Sequence, residues 1–135
     1  MTSMTSMTGT FIDKLTRCAL PLALAFACTA GAEPDAITPE ELLAAAKRPE
    51  APLVLDVRSA EEFASGRVPG ARHVAFDELA ARLGELGPAR DVVVYCERGP
   101  RALKAFAVLR DAGFTVRQLA GHMSAWRAQG LPIER

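Results

Sequence analysis

Two runs in this chain, LVLDV at Leu53–Val57 and VVVYC at Val92–Cys96, are almost continuously apolar rather than alternating. A strand with one wet face alternates polar and apolar residues, whereas a strand buried on both faces does not, and burial on both faces belongs to parallel sheets covered by helices. Segments of helical periodicity separate these runs. The pattern predicts an α/β domain with a small, mostly parallel central sheet flanked by helices on both faces.

Local signals place the elements. Ile37 starts a short edge strand. Thr38, Pro39, Glu40 and Glu41 then read as N-cap, N1, N2 and N3 of a helix, Glu41 completing a capping box. This helix is expected to end around Lys47 or Arg48, before Pro49. Ser59 caps a short helix through Glu62 and Phe63, and Val68-Pro69-Gly70 turns the chain into a strand around His73 and Val74. Asp77 is expected to start the next helix, with Leu79, Leu83 and Leu86 on one face. Ala102, Ala105, Phe106 and Leu109 recur at helical spacing until Gly113, which suits the left-handed C′ position. A last strand, Val116–Leu119, precedes a final helix, Met123–Gln129, with Trp126 turned inward.

The length of 135 residues and 50% hydrophobic content suit one compact domain. Sixteen Lys and Arg are scattered among sixteen Asp and Glu, so nothing marks a nucleic-acid binder. The N-terminus differs from the rest. After MTSMTSMT come Lys14 and Arg17, then an apolar stretch, Cys18–Ala32, that ends in small residues. This is the order of a secretory signal, with cleavage expected after Ala32, residues 1–32 as leader, 33–135 as the domain and a periplasmic destination. A membrane anchor is the plainer alternative, but the stretch is about 15 residues against the roughly 20 needed to span, and Pro21 lies inside it. A lipoprotein acylated at Cys28 is a weaker alternative, because Ala25 and Phe26 are poor neighbours for it. The repeated Met-Thr-Ser leaves Met4 and Met7 open as starts.

Cleavage would remove Cys18 and Cys28 and leave Cys96 alone in residues 33–135, which excludes a structural disulfide within the domain. A solitary cysteine is ordinarily a small buried hydrophobe. Here a polar turn, ERGPR, follows it directly. A strand ending at a thiol, a tight loop with Gly99 and a helix starting near Arg101 aim backbone N–H groups and a positive helix end at the sulfur. The backbone donors available are those of Glu97, Arg98, Gly99, Arg101 and Ala102; Pro100 has none. Such surroundings favour thiolate, the nucleophilic form. Gly99 suits a position that passes close to the sulfur or takes a positive φ. His73 and His122, far apart and with a single cysteine, make a poor metal signature, and neither a metal nor a cofactor is expected.

Three blocks together carry a resemblance: LVLDVRSAEEFASGRVPGARHV at Leu53–Val74, VVVYCERGPRA at Val92–Ala102, and QLAGHMSAWRAQGLPIE at Gln118–Glu134. In this order and at these separations the chain resembles a single-domain rhodanese, a thiosulfate sulfurtransferase-like module. The resemblance implies that Cys96 takes the outer sulfur of thiosulfate or a similar donor as a persulfide and passes it to cyanide or a thiol. It implies small-molecule donor and acceptor partners, with a protein thiol as a further possible acceptor, and a monomer without stable membrane insertion. Arg101 is then expected to bind the sulfonate end of the donor. Arg98 either lines the pocket mouth or faces solvent, and Glu97 is expected to point outward, where it would select donors or partners. Asp56 and Arg58 are expected to brace the loop, Arg58 also contributing to an anion-attracting pocket wall. Two departures from the family's pattern are Arg67, where a histidine is common, and His122, where a second glycine is common; neither is expected to touch the sulfur chemistry.

Two other functions compete. One is a rhodanese-fold binding or regulatory module without turnover. The other is a phosphatase or arsenate reductase of related architecture, but those resemble a loop with cysteine and arginine six positions apart, where Cys96 and Arg101 are five apart. The tighter cradle suits a single sulfur better than a tetrahedral oxyanion.

Overall fold

The computed structural model describes residues 35–135. The leader proposed for residues 1–32 lies outside them. Five strands form one parallel sheet: β1 (Ala36–Ile37), β2 (Leu53–Asp56), β3 (Arg72–His73), β4 (Asp91–Tyr95) and β5 (Thr115–Leu119), in the spatial order β1-β5-β4-β2-β3. The helices are α1 (Pro39–Ala45), α2 (Ala60–Ser65), α3 (Leu79–Arg82), α4 (Pro100–Asp111) and α5 (His122–Ala128).

The continuous apolar runs have the burial their pattern demanded. Val92, Val94 and Cys96 pack in one layer with Leu79, Leu86, Ala102, Ala105 and Leu109. Val93 and Tyr95 face the opposite layer, with Leu42, Met123 and Trp126. Successive strand side chains point to opposite faces, so Cys96 continues the two-residue alternation of β4 one step past the strand, onto the face that α4 covers. The Trp126 indole N–H donates to the Pro132 carbonyl at 2.8 Å, which satisfies its one polar atom in the core.

Thr38 and Ser59 both cap their helices through complete capping boxes, with Glu41 and Glu62 reaching back to the cap N–H groups. The last strand starts one residue early, at Thr115, and the final helix is His122–Ala128 rather than Met123–Gln129; the larger differences lie earlier in the chain. Helix α1 ends at Ala45 rather than Lys47 or Arg48, the chain tightening through Lys47 N–H to Ala44 and Arg48 N–H to Ala45 bonds. Asp77 does not start α3; the helix begins at Leu79 with no capping side chain. It then tightens into a 3₁₀ turn over Leu83–Leu86. With three residues per turn, Leu83 and Leu86 line up, and Leu86 is fully buried while Leu83 is partly so.

Candidate active site

In an open parallel sheet, ligand-binding residues collect beyond the carboxyl ends of the strands. Cys96 stands there, directly after β4, with the C-terminal ends of β2 and β5 on either side. It is 1% exposed and, among the described residues, free of any disulfide. The Gly99 N–H donates to Cys96 Sγ at 2.9 Å. That approach requires Gly99 at φ +130°, a region that side chains disfavour, and Gly99 is also the N-cap of α4. Pro100 at N1 has no N–H to give. The N–H groups of Glu97, Arg98, Arg101 and Ala102 make no hydrogen bond to other described residues and remain available around the sulfur. Ala102 is fully buried beneath the loop.

Arg101 is not a free guanidinium. It forks onto Glu62 of α2, Nη1 at 2.6 Å and Nη2 at 2.8 Å from the two carboxylate oxygens. This bidentate pair pulls the Glu62 carboxyl down to about 2, and it raises the Arg101 pKa above its ordinary value, with Cys96 and Asp56 adding smaller contributions. The Glu62 carboxylate also receives the Ser59 N–H at 3.0 Å, so a single side chain both caps α2 and orients Arg101.

Arg58 is held on several sides. Its side chain is fully buried and wholly committed: Nε and Nη2 to the Asp56 carboxylate (3.0 and 2.6 Å), Nη2 to the Gly66 carbonyl at 2.7 Å, and Nη1 to Glu97 at 3.2 Å. Burial, the largest single influence, would lower its pKa, but Asp56, with smaller contributions from Tyr95 and Glu97, outweighs it and the net shift is upward. Its guanidinium therefore braces the loop with Asp56 and is not offered to an incoming anion. Glu97 departs from expectation. Its carboxylate is held between Arg58 and Arg127, the latter at 2.6 Å, rather than free at the surface. Arg98 is exposed, with no ion pair among the described residues.

A cavity of about 280 Å³ opens beside the loop, between the start of α2 and the connection from β3 to α3, with Arg58, Ser59, His73, Phe76 and Arg101 in its walls. Cys96 is not among its lining residues, so the cavity adjoins the sulfur site through Arg101 rather than containing it. A larger depression near Arg90 and Asp91 lies at the other end of β4 and takes no part in the site.

Two residues that contact the site were not expected there. Glu62 was placed only as a residue within the helix that Ser59 starts, and neither its capping bond nor its pair with Arg101 was foreseen. His122 was expected to stay clear of the sulfur chemistry, yet its Nδ1 accepts the Cys96 backbone N–H at 3.3 Å and its ring covers Gly99. The signal existed: β4 and β5 are parallel neighbours, so the residues just past their carboxyl ends meet. Arg67, the other departure, stays outside the loop, stacked on Phe63 and paired with Glu134.

A five-stranded parallel sheet with a buried cysteine cradled at a helix start defines a rhodanese-type site. The chain belongs to the rhodanese-like domain family, whose sequence model matches residues 38–129. It is similar to the HTH-type transcriptional regulator Rv0324 of Mycobacterium tuberculosis, 44% identical over 116 residues, covering 84% of this chain and spanning half of that relative's length. A sulfurtransferase of Allochromatium vinosum is 38% identical over 82 residues, covering 60% of this chain and 77% of the relative. Among solved structures, a full-length protein from Lactobacillus plantarum superposes with a TM-score of 0.68 at 34% identity, covering 74% of this chain and 87% of that one. At the level of the family, these likenesses support a sulfurtransferase-like enzyme.

Proposed function

We propose that this domain moves sulfane sulfur through Cys96. The Cys96 thiolate attacks the outer sulfur of thiosulfate or a similar donor; the sulfur–sulfur bond of the donor breaks and sulfite leaves with the electron pair. The resulting persulfide gives its terminal sulfur to a thiophilic acceptor, cyanide or a thiol, and the thiolate returns. The observation that carries this reading is the Gly99 N–H aimed at Sγ from 2.9 Å at the start of a twelve-residue helix, with the neighbouring N–H groups unpaired. These donors suit the anionic end of a persulfide. No cofactor is called for.

The test is intact-mass measurement of the domain after thiosulfate treatment: a gain of about 32 Da, reversed by cyanide, is the persulfide expected of covalent catalysis. Cys96→Ser abolishes both the gain and turnover; retained transfer in that variant overturns the mechanism. A second reading, a binding or regulatory module that does not turn over, draws support from the 44% identity to the mycobacterial regulator. Absence of any mass gain in the native domain selects it. Export through residues 1–32 is proposed alongside, on the charged and apolar order of that segment. A protein recovered from the cytosolic fraction of the native host with its first residue at Met1, Met4 or Met7 overturns export.

A further inference from the structure

Among the described residues, His122 is the one non-glycine with a positive φ, at +54°. The left-handed region crowds any β-carbon. Gly121 before it, at φ +71°, has a clear reason for lacking one: a β-carbon there would come within 2.3 Å of Ala125 Cβ. The chain carries an imidazole at the next position in spite of the backbone's preference, and what that imidazole touches is the cysteine loop. Nδ1 accepts the Cys96 N–H at 3.3 Å, while Nε2 lies over Gly99, where an added β-carbon would sit 3.2 Å away. The ring thus spans the turn from its first residue to its last. Helix α5 completes the grip, Met123 N–H donating to the Cys96 carbonyl at 3.0 Å and Ser124 N–H to the Glu97 carbonyl at 3.1 Å.

Because Nδ1 accepts, it carries no proton, and the neutral ring keeps its proton on Nε2. We propose that His122 is a positioning residue for sulfur transfer, its neutral imidazole holding the Cys96 amide and roofing Gly99 so that the Gly99 N–H stays aimed at the sulfur. Protonation would place an N–H at Nδ1 against the Cys96 N–H, donor against donor, and release the turn. Apart from the Cys96 sulfur, whose thiolate form would favour the imidazolium, the charged groups around the ring are already engaged or turned away. Glu97 lies between Arg58 and Arg127, Arg58 also holds Asp56, Arg101 is forked on Glu62, and Arg98 is exposed. Burial holds the His122 pKa below its ordinary 6.5. A depressed histidine pKa makes the grip complete above that value and loses it as pH falls further.

The inference rests on Cys96 as sulfur carrier for its kinetic part, but its geometric part is readable without turnover. The experiment compares wild type, His122→Gly and His122→Asn by ultraviolet titration of the Cys96 thiolate and by thiosulfate kinetics from mildly acidic to neutral pH. Glycine removes the acceptor and relieves the backbone. Asparagine tolerates the same φ and puts an amide oxygen where Nδ1 stood. Expected for His122→Gly is an upward shift of the thiolate titration and a kcat about fivefold lower, as for one lost hydrogen bond, with KM nearly unchanged and thermal unfolding intact. His122→Asn restores both, and its activity falls on the acid side only as far as its own thiolate titration dictates, whereas wild type loses more. Unchanged titration and kcat in His122→Gly, or His122→Asn as impaired as His122→Gly, overturns the proposal. If no form transfers sulfur, the sulfurtransferase reading fails and the titration alone still decides the role of His122.

Discussion

Replacing Arg58 by methionine removes the charge at the centre of the loop's bracing and keeps most of the side-chain volume. The wild-type guanidinium is fully buried and reaches Asp56, the Gly66 carbonyl and Glu97. Without it the Asp56 carboxylate, also fully buried, keeps the backbone N–H of residue 58 and the neighbouring Tyr95 hydroxyl but no cation. Breaking a buried ion pair from one side costs about 3–5 kcal/mol, because a charge is left without a partner. In a domain of roughly 100 residues each kcal/mol lowers Tm by about 4–8 °C, so Arg58→Met should melt at least about 12 °C below wild type. The double variant Asp56→Asn with Arg58→Met removes the orphaned charge and should recover at least about 1 kcal/mol relative to the sum of the two single changes. Denaturant unfolding followed by circular dichroism measures all four proteins. A loss under about 1 kcal/mol for Arg58→Met, or strict additivity, would refute the account of this network.

Arg101→Ala should raise the KM for thiosulfate about tenfold by removing a charge-assisted contact. Glu62→Gln should lower it about threefold by freeing the guanidinium from its carboxylate, and a raised KM would show that Glu62 is needed chiefly to aim Arg101. The same pair predicts an acid dependence. With the Glu62 carboxyl held at about 2 against an ordinary 4.5, its stabilising effect is whole above 4.5 and fades as pH falls toward 2, so the stability gap between wild type and Glu62→Gln should narrow over that window. Gly99→Ala should cost about 1–3 kcal/mol at φ +130° and slow sulfur transfer, which unfolding and thiosulfate kinetics check in parallel.

The elements were legible because their causes are local. Val92–Tyr95 declared burial on both faces, Thr38 and Ser59 declared helix starts, and Gly113 at φ +90° lies where α4 was expected to close. The 3₁₀ turn at Leu83–Leu86 was missed because leucines at three-residue spacing fit an α-helix equally well. At the site, Cys96 and Gly99 could be singled out because strand, loop and helix are contiguous in sequence. The states of Arg101 and Arg58 could not. Whether an arginine is free depends on which carboxylate the fold brings to it, and Glu62 is 39 residues from Arg101. His122 is 26 residues from Cys96, and only the adjacency of β4 and β5 brings them together.

The grip of α5 on the cysteine loop has a chronological consequence. The groups that hold the Cys96 and Glu97 peptides, His122, Met123 and Ser124, come late in the chain. Contacts between segments distant in sequence form only after the intervening chain has been ordered. Until β5 and α5 dock, the cysteine turn lacks its outer clamp. A chain folded only as far as α4 carries Cys96 in a slack loop, more exposed to solvent than in the finished fold. The sulfur becomes sheltered and its loop clamped in the same event, the seating of the last helix.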